Sequence, residues 1–344
     1  MSGKFRMGLV GCGDICGYVA LGIKLNPRIE MAGCADPDED ALAAFAKKNR
    51  IKTACADYRE MLEKIPDLDA VYLGVPHYLH YPMIRDLVER GIPVFCEKPV
   101  CTNLEDAMDL CSRSLDSGVK IGINYQYRYD RACYNLVRAV HRRDLGDVMY
   151  ARCNLPWHRD EDYFSIGKWR VRRQTAGGGT LITQCSHLLD VLLLAMKHTR
   201  PVAAQAMMTN RRFKDVEVED LCMGVLEMDD GSLISISSSM VVVPEQPVTI
   251  EVYGSKGTGI YTGPESPKVR FEGVKVKRER PPVFGLHALF RSLEGFRRWV
   301  LYDRPFLTPI EQSLPVLAAV LAIYRSADSG RKESVDQRYL DFLK

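Results

Sequence analysis

The chain has 344 residues, 46% hydrophobic and 26% charged, with 47 Lys and Arg against 44 Asp and Glu for a net charge of +3. This composition excludes a mainly disordered chain, and the charge balance excludes the concentrated basic face of a protein whose main partner is nucleic acid. No apolar run reaches the ~18 residues of a membrane span and no apolar leader precedes the first strand, so the expectation is two domains, no membrane and a cytoplasmic location. The 11 cysteines are odd in number and scattered, with no C-x-x-C pair. They read as small buried hydrophobes, not as a disulfide framework or a zinc site.

Residues 5–10 form a short apolar strand ending in Gly11, and Ile15, Val19 and Ile23 follow at helical spacing. Strands are predicted at 30–35, 70–75, 93–96 and 120–123, and helices at 39–48, 81–90 and 103–117. This alternation predicts an α/β fold whose N-terminal domain, residues 1–124, is a doubly wound parallel sheet of the Rossmann type. Past residue 150 the strands are longer, at 148–154, 201–209, 220–228, 232–243 and 248–253. Asp229-Asp230-Gly231 marks a hairpin and Gly254-Ser255-Lys256-Gly257 another turn. Residues 125–344 are therefore expected to be a second α/β domain with a large, mostly antiparallel open sheet. Thr308-Pro309-Ile310-Glu311 has the form of a capping box opening a helix through Leu314, Leu317, Val320, Leu321 and Tyr324.

Four segments carry chemistry. Gly11-Cys12-Gly13-Asp14-Ile15 lies between a strand and a helix, where glycines allow a tight turn and free N–H groups face a diphosphate. Cys16 stands where the fingerprint has its third glycine. Asp36 ends the second strand, where an acid accepts both adenosine ribose hydroxyls and repels a 2′-phosphate, favouring NAD over NADP. The alternative role is a cap for the helix after Pro37. Glu97-Lys98-Pro99 follows a strand, at the sheet edge where open α/β folds bind ligands; the alternative is a surface ion pair. Gly177-Gly178-Gly179 precedes a helical pattern holding Thr183, His187 and Asp190, with His187 suited to acid–base work near neutral pH. His77 and His80 have metal-ligand spacing without an evident acidic third ligand, so no metal is expected. Arg170, Arg172 and Arg173 are either a phosphate clamp or a solvated face. The basic stretch 268–280 is expected to be an exposed strand or loop.

In this order, G-C-G-x-I, E-K-P and G-G-G with His187 eight residues after Gly179 and Asp190 three beyond resemble the Gfo/Idh/MocA family (glucose-fructose oxidoreductase, inositol dehydrogenase, rhizopine catabolism). Val75-Pro76-His77 with His80 resembles the family's segment after its fourth strand, and Asn124-Tyr125-Gln126-Tyr127-Arg128 its passage into the second domain. Trp157-His158-Arg159, Tyr163 and Lys168-Trp169-Arg170 resemble members that act on sugar carbons. The resemblance implies cofactor contacts from Gly11, Cys12, Gly13, Asp14, Ile15, Asp36, Val75, Pro76, His77, His80, Glu97, Lys98, Gln126, Trp169 and Arg170. It implies substrate contacts from Lys98, Asn124, Tyr127, Arg128, Trp157, Arg159, Tyr163, Thr183 and His187. Many members carry Asp where this chain has Thr183, and a Thr hydroxyl is no base at neutral pH. The catalytic load is thereby placed on Lys98 and His187.

The implied activity is NAD-dependent oxidoreduction of a sugar, glycoside or nucleotide sugar, with C3 as the expected carbon. His187 or Lys98 takes the hydroxyl proton while the hydride passes to nicotinamide C4, and Lys98 steadies the alkoxide. Two alternatives stand beside it: glycoside cleavage through a 3-keto intermediate with NAD retained, and a non-catalytic NAD-binding regulator. The expected partner beyond the small-molecule substrate is a second copy, in a homodimer or homotetramer, covering the open sheet.

Overall fold

The computed structural model describes residues 3–165, 168–285 and 287–343. In chain order the first part runs β1 (Phe5–Val10), α1 (Asp14–Lys24), β2 (Ile29–Ala35), α2 (Glu39–Asn49), β3 (Thr53–Cys55), α3 (Tyr58–Lys64), β4 (Ala70–Leu73), α4 (His80–Glu89), β5 (Val94–Cys96), α5 (Leu104–Ser117) and β6 (Ile121–Ile123). Its six strands pair in parallel in the order β3-β2-β1-β4-β5-β6, with the reversal of winding between β1 and β4. The local chemistry fixes the helix ends. Asp38, Asp57 and Asn103 accept N–H groups of the first turns of α2, α3 and α5, and Gly118 closes α5 in the left-handed conformation.

The second part adds α6 (Arg131–His141), β7 (Val148–Pro156), α7 (Ser186–Ala195), β8 (Pro201–Thr209), β9 (Leu221–Met228), β10 (Leu233–Ser239), β11 (Val248–Gly254), β12 (Thr258–Gly263), β13 (Lys268–Glu272), α8 (Ala288–Tyr302), α9 (Leu314–Ser329) and β14 (Glu333–Ser334). Eight strands line up as β13-β12-β11-β7-β10-β9-β8-β14. Only the β7–β10 pair among them is parallel. Helices α6, α7 and α9 cover one face. The other face exposes Tyr150, Met223, Val225, Leu233 and Met207, the last at 81% of its surface.

Two expectations are corrected. The strand predicted over 232–243 ends at Ser239. Thr308 makes no capping box: its hydroxyl is buried without a partner, Ile310–Ser313 is a 3-10 turn, and the helix starts at Leu314 with Pro315 in its first turn. The stretch Arg173–Ala195 is long and apolar enough to cross a membrane by length and composition, yet 89% of its apolar window is buried inside the protein.

Helix α8 returns to the first sheet. Phe296 stacks on Phe95 of β5 with ring centres 4.8 Å apart, and Leu293 packs against α1, where a side chain at Gly22 would lie 2.9 Å from it. Pro309 then bridges to Gly122 of β6.

Candidate active site

The loops at the carboxyl ends of β4 and β5 come against residues 169–183 of the second part, where His77 meets the Ala176 carbonyl and the Trp169 ring and Lys98 meets the Thr183 carbonyl, and the cleft along this seam is the candidate site. At the β1–α1 turn Gly11 adopts φ +92°, and a Cβ there would lie 2.3 Å from the Gly74 carbonyl. Gly13 is exposed with nothing within 4 Å of a Cβ built on it, and no side chain caps α1. The bare N–H groups of that first turn suit a diphosphate, and Asp14 and Ile15 begin the helix beside them. Cys16, in place of the third glycine, points inward and donates to the Val10 carbonyl at 3.8 Å, so it leaves the cradle open.

Asp36 accepts the Cys12 N–H at 2.7 Å and the Asp38 N–H at 2.9 Å, one on each oxygen. Its carboxylate is thus held against the glycine turn. It does not cap α2; Asp38 does, accepting from Ala41 at 3.0 Å.

Val75 and Pro76 follow β4, half-buried at the cleft edge. His77 Nδ1 lies 2.7 Å from the Ala176 carbonyl and its ring meets Trp169 edge-on with centres 4.6 Å apart. His80 is wholly buried: Nδ1 is 2.7 Å from the Pro99 carbonyl and Nε2 3.0 Å from that of Val75. It therefore braces the β4 and β5 loops from behind and does not reach a ligand, against the cofactor contact expected of it.

Glu97 also points inward. It accepts from Tyr72 and, at 2.6 Å, from Asn124, whose amide oxygen takes the Ser292 hydroxyl at 3.0 Å. Asn124 is completely buried, so it supports the β5 end and is not a substrate contact. The next residue, Lys98, turns the other way, and its ammonium donates to the Thr183 carbonyl. Burial lowers the Lys98 pKa to about 8; Glu97 opposes the shift and the Arg170 charge adds to it.

His187 lies at the start of α7, entered through a wide turn in which the Ser186 N–H reaches back to the Leu181 carbonyl. Its ring stacks on Tyr127 at 5.0 Å and meets Tyr125 edge-on at 5.8 Å. Nδ1 is buried with no hydrogen-bond partner. Burial, then the Lys98 charge, holds the imidazole well below its ordinary pKa and so neutral at pH 7. Asp190 does not serve His187. Its carboxylate takes the Arg128 guanidinium at 2.6 and 2.8 Å, and Arg128 also donates to the Leu307 and Gln312 carbonyls. Arg128 is 4% exposed and is a core tie, which corrects its expected substrate role. Gln126, in the same turn, keeps a buried side-chain oxygen without a partner.

The far wall is a ladder of aromatic rings and arginines. Arg159 lies over Trp157 at 4.8 Å and over Tyr163 at 5.9 Å, and Arg170 lies over Tyr163 and Trp169, each at 4.8 Å. The three-arginine clamp is not formed: Arg173 forks onto Asp328 at 2.7 and 2.9 Å, Arg172 is exposed, and Arg170 alone of the three joins the ladder. The sequence reading missed Glu219 and Tyr324, which hold the triple-glycine turn: Gly179 and Leu181 donate to the Glu219 carboxylate at 2.7 and 2.9 Å. An acid before a strand carries no sequence signal of that contact.

A cradle for a dinucleotide, opening onto a lysine and a neutral histidine, defines an oxidoreductase built on a nucleotide-binding fold. Residues 5–125 match the "Oxidoreductase family, NAD-binding Rossmann fold" and residues 135–259 the "GFO/IDH/MocA C-terminal domain". The chain belongs to the Gfo/Idh/MocA family, as its motifs led us to expect. It is 30% identical over 256 residues, 69% of this chain and 68% of the other, to the putative UDP-kanosamine synthase oxidoreductase subunit of Amycolatopsis mediterranei. It is 22% identical over 354 residues to the D-glucoside 3-dehydrogenase of Escherichia coli, covering 96% and 97% of the two chains. Among solved structures it is similar to the WlbA dehydrogenase of Bordetella pertussis in complex with NADH and UDP-GlcNAcA, with a TM-score of 0.85 and 25% identity over 97% of this chain and 99% of that one.

Proposed function

We propose that this protein moves a hydride between C3 of a sugar derivative, a glycoside or a nucleotide sugar, and the nicotinamide of NAD. The observation that carries the reading is the pairing of Lys98, titrating at about 8, with a neutral His187 at the mouth of the nucleotide cradle. Burial lowers both groups, the lysine to about 8 and the histidine well below its ordinary value, so near neutral pH the first can hold or yield a proton while the second stays neutral. Lys98 is poised near the working pH and exchanges the proton of the sugar hydroxyl. His187, neutral at pH 7, orients that hydroxyl. Bound nicotinamide supplies the hydride acceptor. Gly11, Cys12, Gly13, Asp14 and Asp36 would hold the dinucleotide, with Trp169 and Arg170 on its far side and Gln126 offering its unpaired oxygen. Tyr127, Trp157, Arg159 and Tyr163 would line the sugar's side. Residues 1–124 form the cofactor half in this reading and 125–344 the substrate and assembly half. The C3 assignment is supported by the E. coli relative named for that position, and the nucleotide-sugar class by the WlbA complex.

The test is NADH formation across a panel of nucleotide sugars, glycosides and free sugars, followed by deuterium labelling of the active one. Label at C3 should appear in the reduced cofactor. Transfer from another carbon would overturn C3, and no reduction with any sugar would overturn the activity.

Cofactor choice follows from Asp36. A 2′-phosphate beside its carboxylate is a like-charge contact costing several kcal/mol, so NAD should bind ~10²-fold more tightly than NADP. Titration by fluorescence should show that gap narrowing in Asp36→Ala. A wild type preferring NADP would contradict the assignment.

Assembly follows from the uncovered sheet face. Met207, Met223, Val225, Leu233 and Tyr150 form an apolar surface on strands already paired edge to edge. A second copy packed on that face is the proposed cover, and light scattering at micromolar concentration should return a dimer or tetramer. Met223→Lys with Val225→Lys should shift it toward monomer.

A further inference from the structure

We propose that Glu219, acting with Tyr324 through the triple-glycine turn, is a positioning residue for Lys98. The inference rests on the reading of Lys98 given above for its effect on turnover, though not for its geometry.

Glu219 immediately precedes Asp220 and β9 and is 5% exposed. One carboxylate oxygen accepts the Gly179 N–H at 2.7 Å, and the other accepts the Leu181 N–H at 2.9 Å and the Tyr324 hydroxyl at 3.0 Å. The Glu219 main-chain carbonyl accepts the Thr180 N–H at 3.0 Å, and the Tyr324 oxygen accepts the Ile182 N–H at 3.2 Å. Four successive N–H groups, from Gly179 to Ile182, are therefore satisfied by two residues distant in sequence. At most helix starts a Ser, Thr, Asp or Asn in the chain itself does part of this work.

The glycines make room for the arrangement. A Cβ at Gly178 would lie 2.1 Å from the Tyr324 oxygen, and one at Gly179 would lie 1.8 Å from the Glu219 carbonyl. The very next residue, Thr183, presents the carbonyl to which the Lys98 ammonium donates. Its hydroxyl is turned back to the Gly179 carbonyl at 2.6 Å. Lys98 thus reads the position of a main-chain atom, and that atom is registered to the second sheet by Glu219.

In Glu219→Gln an amide replaces one oxygen, and its NH2 must face either the Gly179 or the Leu181 donor. The turn then shifts and the Lys98 ammonium loses its acceptor. The readout is the pH at which Lys98 titrates, measured from its acetylation rate by peptide mass spectrometry on the full-length protein. The charged or titratable groups facing Lys98 are Glu97, Arg170, His77, His80 and His187, and none is altered. A charge-assisted hydrogen bond to the ammonium raises its pKa, so its loss should move the titration about one pH unit lower. NAD affinity by fluorescence should stay within about twofold. Tyr324→Phe should shift it in the same direction by less, and decides the matter if Glu219→Gln does not fold. A folded variant that binds NAD normally and leaves the Lys98 titration unmoved would overturn the proposal. Because the probe is the lysine itself, a wrong substrate class would not disturb this test. On an active sugar the same variant should lose up to ~10²-fold in kcat with KM little changed.

Discussion

Lys98→Ala should lower kcat by about 10²–10⁴-fold while leaving NAD affinity close to that of the wild type. The ammonium points to the Thr183 carbonyl, whereas the glycine turn and Asp36, proposed to hold the dinucleotide, are built independently of it. Its pH signature has a definite sign. With a pKa of about 8, Lys98 is mostly charged at pH 7. Oxidation of the sugar, which needs the neutral amine to accept a proton, should speed up as pH rises through about 8 and then level off. Reduction, which needs the ammonium as donor, should slow over the same range. His187→Ala should cost less, about 10–100-fold, since a neutral imidazole offers a hydrogen bond to a developing charge and not the proton itself. Thr183→Ala should cost under about tenfold, because its carbonyl remains. Steady-state kinetics from pH 6 to 10 would check all three. A Lys98→Ala enzyme with an unchanged pH profile would remove the lysine from proton transfer.

Breaking the Arg128–Asp190 pair should be the most damaging change to stability, about 3–5 kcal/mol for Arg128→Met. Both side chains are buried, at 4% and 1% exposure, and joined by two hydrogen bonds of 2.6 and 2.8 Å. Burial pushes the Asp190 carboxyl up and the guanidinium pulls it back down. Removing the arginine leaves an acid without a counter-charge and strips donors from the Leu307 and Gln312 carbonyls. Urea unfolding should show a lower midpoint. Adding Asp190→Leu to Arg128→Met should recover part of the loss, since an apolar pair tolerates burial that a lone charge does not. A single Arg128→Met within about 1 kcal/mol of wild type would show that the pair is not the tie described here.

The parallel sheet was legible because its strands are continuous apolar runs with glycine and polar punctuation, and β1 and β8 carry the boundaries expected of them. What escaped was short or locally ambiguous. β3 has three residues and α3 seven, too few for a period to show, and β12 and β13 alternate weakly beside the basic stretch, of which 268–272 is indeed strand and the rest loop. Lys98, His187 and the glycine turn could be found from residue type and order. Residues next to them in sequence could not be sorted. Asn124 and Arg128 lie in one short segment with Tyr125 and Tyr127, yet the two tyrosines meet the His187 ring while Asn124 and Arg128 face the interior, as do Glu97 and His80. Orientation there is set by long-range partners such as Ser292, Asp190 and the Pro99 carbonyl, and such partners leave no local pattern. Glu219 is the same case in reverse, a remote side chain that caps a helix start.

The return of α8 to the first sheet has a mechanical consequence. The polypeptide passes between the two halves three times: after β6, before α8 and again beyond Pro309. Phe296, Leu293 and Phe306 share one apolar cluster with Leu9, Phe95 and Tyr129. Halves stitched together in this way have no free hinge, because opening the cleft would tear aromatic rings out of a common core.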